Sequence, residues 1–307
     1  DEIWKAVEKR LAGASDADQS DSLLEPEWNA FTAADPSRNT SDFALRRVPV
    51  PSGFDDRISG VLLVERLREV SALTGFTRIE SPGDYADGWE IPPARRAWIS
   101  RRKPEWIPAV EVRGEGIFIE IDRDRLEAWG KTVGPLNSML REAHHRWREL
   151  RGLDPATGYP GIEYVLLHSL AHSLIRQIAI ECGYSAASIR ERIYSSPGEE
   201  GRARMAGILL YTAASDSEGT LGGLVSLGEP KALAFHLREA LRSAELCGSD
   251  PLCSEHEPTE DGMALHAAAC HSCLYVPETS CERGNRYLDR SVLKPTLEHT
   301  GNAFFAE

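Results

Sequence analysis

Five of the chain's six cysteines fall between residues 247 and 281, spaced Cys247-x5-Cys253-x16-Cys270-x2-Cys273-x7-Cys281, and the sixth, Cys182, stands apart. Thiols crowded in this way pair as disulfides, bury as small apolar groups or hold a metal ion. Five cannot all pair with one another. The N-terminal DEIWKAVEKRLAG lacks the basic start and apolar run of an export signal, so the expected compartment is the reducing cytoplasm, where disulfides are uncommon. Zinc with four thiolates is the reading that uses the spacing, because a Cys-x2-Cys turn places two sulfurs on one ion. Cys270 and Cys273 form that turn. The other two ligands come from Cys247, Cys253 and Cys281, with His256, His266 and His271 as substitutes within reach. Four thiolates also suit an iron–sulfur cluster. A four-thiolate zinc has no open position for water, so its expected work is to fold a small lobe with little core of its own.

The rest of the chain reads as a mixed α/β core. Residues 2–11 fit a short amphipathic helix, and 12–42, rich in Ser, Asp, Ala and Asn, fit irregular surface chain. FALRRVPVPSGF reads as a strand broken by Pro49 and Pro51. ISGVLLVERLREVSALTGF (58–76) has apolar residues at helical spacing and ends on Gly75, which predicts a helix. Residues 81–109, with five prolines, read as a long ordered loop or an extended segment. GEGIFIEIDRDRL (114–126) alternates Ile117, Ile119 and Ile121, as a strand does before a turn. Helices are expected over 134–151 and over 162–182, the second apolar almost all round, hence buried, and closed by Gly183. Ser185 is a candidate N-cap for a helix over 185–194, AGILLYTA (206–213) reads as a buried strand, and Pro230 opens a helix over 230–247.

Several blocks together carry a resemblance. ACHSCLYVPETSCERGNRYLDR resembles the C-terminal zinc-binding domain of MrfA-type helicases, in which close cysteines precede a Gly-Asn and a Leu-Asp pair; Gly284, Asn285, Leu288 and Asp289 match that ending. VERLREVSALTGFTRIE, LLHSLAHSLIRQIA, YTAASDSEGTLGGL and CGSDPLC, in this order across much of 58–293, resemble the DrmB family, companions of the DrmA helicase in DISARM anti-phage defence. The resemblance implies a zinc site that includes Cys270, Cys273 and Cys281. For the fourth ligand, Cys253 lies in a loop, whereas Cys247 sits at a helix end and is the alternate, a candidate packing residue. The resemblance also implies a C-terminal half of a longer protein, divided as 1–57, 58–160 and a zinc-binding domain over 161–307 with its metal lobe at 247–293. Its implied partners are a DrmA-like helicase and DNA.

Other motifs divide between chemistry and packing. His168 and His172, at i and i+4, share one helix face, but a zinc protease needs Glu where Ser169 stands. They are expected as satisfied core residues; the alternative is a polar cleft shared with Asp216 and Glu218 of SDSEGTLGG, a nuclease or phosphodiesterase site. WGKTVG is not a phosphate loop, since Arg125 replaces the required glycine, so no nucleotide hydrolysis is expected. The net charge of −13 argues against a general polyanion-binding coat. PARRAWISRRKPEW is the exception. Arg95, Arg96, Arg101, Arg102 and Lys103 alternate with Trp98 and Trp106, and such a stretch can grip phosphates and stack on bases. No apolar run is long enough to cross a membrane. The expectation is therefore a non-catalytic, helicase-associated zinc protein.

Overall fold

Strand alternation sets the architecture. The computed structural model describes residues 23–33, 39–73, 75–78, 91, 95–100, 106–183, 185–198, 203–212, 223–258 and 264–306. A five-stranded antiparallel sheet contains β1 (Phe43–Val48), β2 (Ile58–Ala72), β5 (Ala109–Ile121), β6 (Ile189–Ser196) and β7 (Met205–Thr212), in the order β1-β2-β5-β7-β6. Two short strands, β3 (Gly75–Thr77) and β4 (Arg96–Trp98), pair separately. The expected division at residue 160 is spanned by this sheet, because β5 pairs directly with β7, Ile119 opposite Ile208.

Alternate side chains sort the core into two layers. Val61, Leu63, Ile117, Ile119, Ile193, Ile208 and Leu210 face a helical layer. Leu62, Val64, Phe118, Tyr194 and Leu209 face the other way, against α1 (Leu24–Ala33). Both faces of β2 are thus covered, which explains why GVLLV is continuously apolar. That run and its helical spacing predicted a helix over 58–76. The strand prevails because β2 pairs along both edges, with β1 and with β5, and long-range pairing of β-branched residues outweighs local periodicity.

The helical layer consists of α2 (Arg123–Thr132), α3 (Gly134–Glu149), α4 (Ile162–Cys182), the short α5 (Gly223–Leu227) and α6 (Pro230–Glu245). α4 is buried almost without a break from Ile162 to Ile178, since it lies between β6 and β7 on one side and α6 on another, and Gly183 at φ 70° ends it in the left-handed conformation. Pro230 opens α6 as expected. α2, capped by the Asp122 carboxylate on the Arg125 N–H at 2.8 Å, occupies what read as a turn. The helix expected over 185–194 is instead a 3-10 turn (Ala186–Ser188) followed by β6. Ser185 does cap, accepting from the Ala187 N–H at 3.3 Å, but the alternation of Ile189, Glu191 and Ile193 has a strand period.

Part of 12–42 is also ordered: Leu24–Ala33 is α1. Residues 1–22, including the helix expected over 2–11, lie outside the described residues. α1 docks through two aromatics. Phe31 stacks on Phe118 at 4.8 Å between ring centroids, and Trp28 meets Phe118 edge-on at 5.6 Å. Gly207 allows this approach, because a Cβ there would stand 2.9 Å from the Trp28 ring and 3.0 Å from the Ile119 carbonyl. Phe31→Ala is expected to reduce the unfolding free energy by about 3–5 kcal/mol. The check is a urea titration in which the midpoint falls while the slope is unchanged.

Candidate metal centre

Four cysteines converge where α6 ends. Cys247 follows the C-cap residue Leu246; its N–H donates to Asp250 Oδ2 at 2.8 Å, while Asp250 Oδ1 accepts from the Ser254 N–H at 3.1 Å. One carboxylate thus shapes the loop that carries Cys247 and Cys253. Cys270 and Cys273 form the second arm, a tight turn in which the Cys273 and Leu274 N–H groups both reach the Cys270 carbonyl. Two sulfurs also accept backbone N–H groups, Cys273 Sγ from Cys270 at 3.2 Å and Cys247 Sγ from Ser249 at 3.4 Å.

The Sγ–Sγ separations are 3.5 Å for Cys247–Cys270, 3.7 Å for Cys253–Cys273 and 3.7 Å for Cys270–Cys273. They are too long for disulfides, whose sulfurs stand about 2.05 Å apart. A tetrahedral zinc with bonds of about 2.3 Å sets its sulfurs about 3.8 Å apart. The four residues therefore fit Zn2+, and their donor set fits it chemically.

Cys281 corrects the sequence expectation. It was assigned to this quartet with Cys247 as the alternate; the structure brings Cys247, Cys253, Cys270 and Cys273 together and places Cys281 with His168, His172 and Glu191. The physical reason is the path of residues 274–280. Leu274 is buried against Ala269 and Leu288, and from Val276 the chain leads to α4 rather than back to the ring of sulfurs. There the Cys281 sulfur accepts the Arg283 N–H at 3.4 Å and the Asn285 N–H at 3.2 Å. Gly284 (φ 58°) and Asn285 (φ 60°) make this turn, and the Asn285 amide clamps Val276 through both its N–H and its carbonyl, at 3.0 and 2.9 Å. Asp289 caps the final turn, accepting from the Ser291 N–H at 2.8 Å.

Arg290, fully buried, joins the parts. Its guanidinium donates to the carbonyls of Ala244 (3.0 Å) and Glu245 (2.9 Å) at the end of α6 and pairs with Asp250. The Cys253 thiol is held down to about 5, first by the adjacent Cys273 thiol and then by Arg290, while Cys273 is pushed up by Cys253 and by burial. Sulfurs this close are most easily all deprotonated when a cation lies between them.

The remaining predicted residues are scattered. His168 and His172 are wholly buried, and Asp216 and Glu218 lie outside the described residues. Trp98 is 42% exposed on β4, with the Arg96 guanidinium 3.9 Å from its ring centroid. Arg95 is exposed beside them and donates to the Arg151 carbonyl at 3.4 Å. Arg101, Arg102 and Lys103 lie outside the described residues. Glu191 was missed altogether. The available signal was a carboxylate between Ile189 and Ile193 at strand spacing, which puts it on the inward face.

Two outcomes are expected. Cys270→Ser abolishes metal binding by the quartet, measured by elemental analysis of the purified chain. Arg290→Met leaves Asp250 as an uncompensated buried charge and costs about 3–5 kcal/mol, read from denaturant unfolding.

Comparison with known proteins agrees with this geometry. Residues 170–274 match the MrfA Zn-binding domain. That segment contains all four clustered cysteines and ends before Cys281. Across 287 residues, 92% of the chain, the sequence is 38% identical to the DISARM protein DrmB of Bacillus paralicheniformis. The chain spans about half the length of that curated relative, 49%. The chain is thus similar to DrmB over most of its length and to the MrfA Zn-binding domain over residues 170–274.

Proposed function

We propose that this chain is a non-catalytic, zinc-stabilised subunit of a bacterial DISARM anti-phage complex, which docks to a DrmA-like helicase in the cytoplasm and helps it engage DNA. The observation that carries this reading is an exposed aromatic arm. β2 and β5 continue past their other partners: β1 pairs with β2 only as far as Leu67, and β7 pairs with β5 only over 116–120. Residues 68–72 and 109–113 are left as a two-stranded extension. Val70, Leu73, Phe76, Trp98, Trp106 and Val110 are 42–73% exposed on and around it. Exposed apolar groups in such a concentration fit a partner surface, and Arg95, Arg96 and Trp98 lie in the same region.

The similarity to DrmB supports the defence setting. No helix among the described residues is long and apolar enough to cross a membrane. A hydrolytic reading through His168 and His172 requires substrate to reach imidazoles that have no accessible surface. In this reading ATP hydrolysis belongs to the helicase.

The test uses the co-purified helicase complex. Trp98→Ala with Trp106→Ala should weaken capture of the helicase while zinc content is retained. Arg101, Arg102 and Lys103 replaced together by alanine should weaken DNA binding by the complex and lower the slope of log affinity against log salt by about 2–3, if each contacts one phosphate. Unchanged capture removes the arm from the docking surface, and an unchanged slope removes the basic stretch from the DNA path.

A further inference from the structure

We propose that His168, His172, Glu191 and Cys281 form a second zinc site, separate from the four-cysteine centre and sealed within the core. Their ligand atoms all lie within 4.8 Å of one another. His168 Nε2 is 2.9 Å from Glu191 Oε1 and 3.2 Å from Cys281 Sγ, and His172 Nε2 is 3.4 Å from Glu191 Oε2. Tetrahedral zinc with nitrogen, oxygen and sulfur ligands sets them about 3.3–3.8 Å apart, so one ion reaches all four after small side-chain shifts.

The hydrogen bonds around the imidazoles point the same way. His172 Nδ1 faces the Leu274 carbonyl at 2.9 Å, and His168 Nδ1 faces the Tyr287 carbonyl at 3.4 Å. A carbonyl only accepts, so both protons belong on Nδ1, and both Nε2 lone pairs point into the cluster. There His168 Nε2 meets the Cys281 sulfur, whose thiol can donate, and His172 Nε2 meets only carboxylate oxygen, an acceptor as well. His172 Nε2 and Glu191 Oε2 are wholly buried and have no hydrogen-bond partner. Lone pairs converging without a donor need a cation between them. An imidazole that gives its other N–H to a backbone carbonyl is the usual posture of a zinc-bound histidine.

The remaining ligands fit as well. Cys281 Sγ accepts two backbone N–H groups, as a thiolate ligand does. The second carboxylate contact, the Glu282 N–H to Glu191 Oε1 at 3.1 Å, keeps Glu191 aimed inward. One carboxylate, one thiolate and two neutral imidazoles balance a divalent ion, and a neutral assembly suits complete burial. The donor set, mixed nitrogen, oxygen and sulfur, favours zinc over the hard cations. All four positions are protein ligands, so the site is structural. It ties α4, β6 and the 281–285 turn together.

The test is metal stoichiometry on the intact purified chain, which needs no variant to fold. Elemental analysis should give two zinc ions per chain. X-ray absorption should give an average shell of about two and a half sulfurs and one and a half nitrogen or oxygen ligands per zinc, from five thiolates and three lighter donors shared between two ions. Cys281→Ser and Glu191→Gln should each lower the content from two to one, and so should Cys270→Ser from the other centre. One zinc per chain in a shell of four sulfurs overturns the proposal, because an imidazolium–carboxylate pair then fills the same space. So does a Glu191→Gln variant that folds and keeps two.

Discussion

The buried guanidinium of Arg290 is the interaction on which the C-terminal third depends. Burying a cation is costly unless every donor finds a partner and the charge is balanced. Arg290 balances its charge and engages both terminal nitrogens by drawing two separate pieces of chain onto one group, while its Nε has no hydrogen-bond partner. The carbonyls of Ala244 and Glu245 come from the last turn of α6, where a positive charge also opposes the helix dipole. Asp250 comes from the loop between Cys247 and Cys253 and, through its second set of bonds, fixes the N–H groups of Cys247 and Ser254. Zinc held by four thiolates carries two excess negative charges. A permanent cation beside Cys253 lowers the cost of keeping that assembly out of water.

α4 supplies the complementary half. Its apolar residues face the sheet and the helices, yet it carries the run His168-Ser169 and His172-Ser173, two polar pairs one turn apart. In a buried helix these would be liabilities. Three of the four are matched by irregular backbone, Ser169 Oγ accepting the Asp289 N–H at 2.9 Å and the imidazoles serving Tyr287 and Leu274, while Ser173 donates to the Ala240 carbonyl of α6 at 2.9 Å. The segment from 264 to 306 has little regular structure, so its backbone groups need partners from outside. The polar stripe of α4 provides them, which is why one helix belongs to the hydrophobic core and to the metal-bearing lobe.

The parts legible in the sequence were those set by local rules. The buried α4 with its terminal Gly183, Pro230 at the start of α6, the strand over 205–212 and the metal-binding character of the cysteines all follow from composition and short spacing. What escaped was set by contacts distant in sequence. β2 satisfied a helical period until its pairing on both edges and its two covered faces decided otherwise. The partition of five cysteines between two clusters depends on the path of residues 274–280, to which spacing along the chain is blind. Cys247, the alternate ligand by sequence, is a member of the quartet because Asp250 turns the chain soon after α6. Glu191 could be read only once its segment was known to be a strand.

Tyr287 shows how much the lobe relies on being held from several sides. It is a non-glycine residue at φ 59°, a conformation that costs about 1–2 kcal/mol. The compensation comes from elsewhere: its ring is buried, its hydroxyl donates to His144 Nδ1 at 2.7 Å, and its carbonyl faces His168 at 3.4 Å. The tautomer follows from the other nitrogen, since His144 Nε2 must donate to the Thr157 carbonyl at 2.8 Å, leaving Nδ1 to accept. The strained turn positions Cys281 on one side and Leu288, Asp289 and Arg290 on the other. The Gly-Asn and Leu-Asp pairs that mark this ending in the sequence are therefore connected through a residue that neither pair includes. That residue is held in place by α3 and α4, so the metal-bearing lobe and the helical layer depend on each other for their shape.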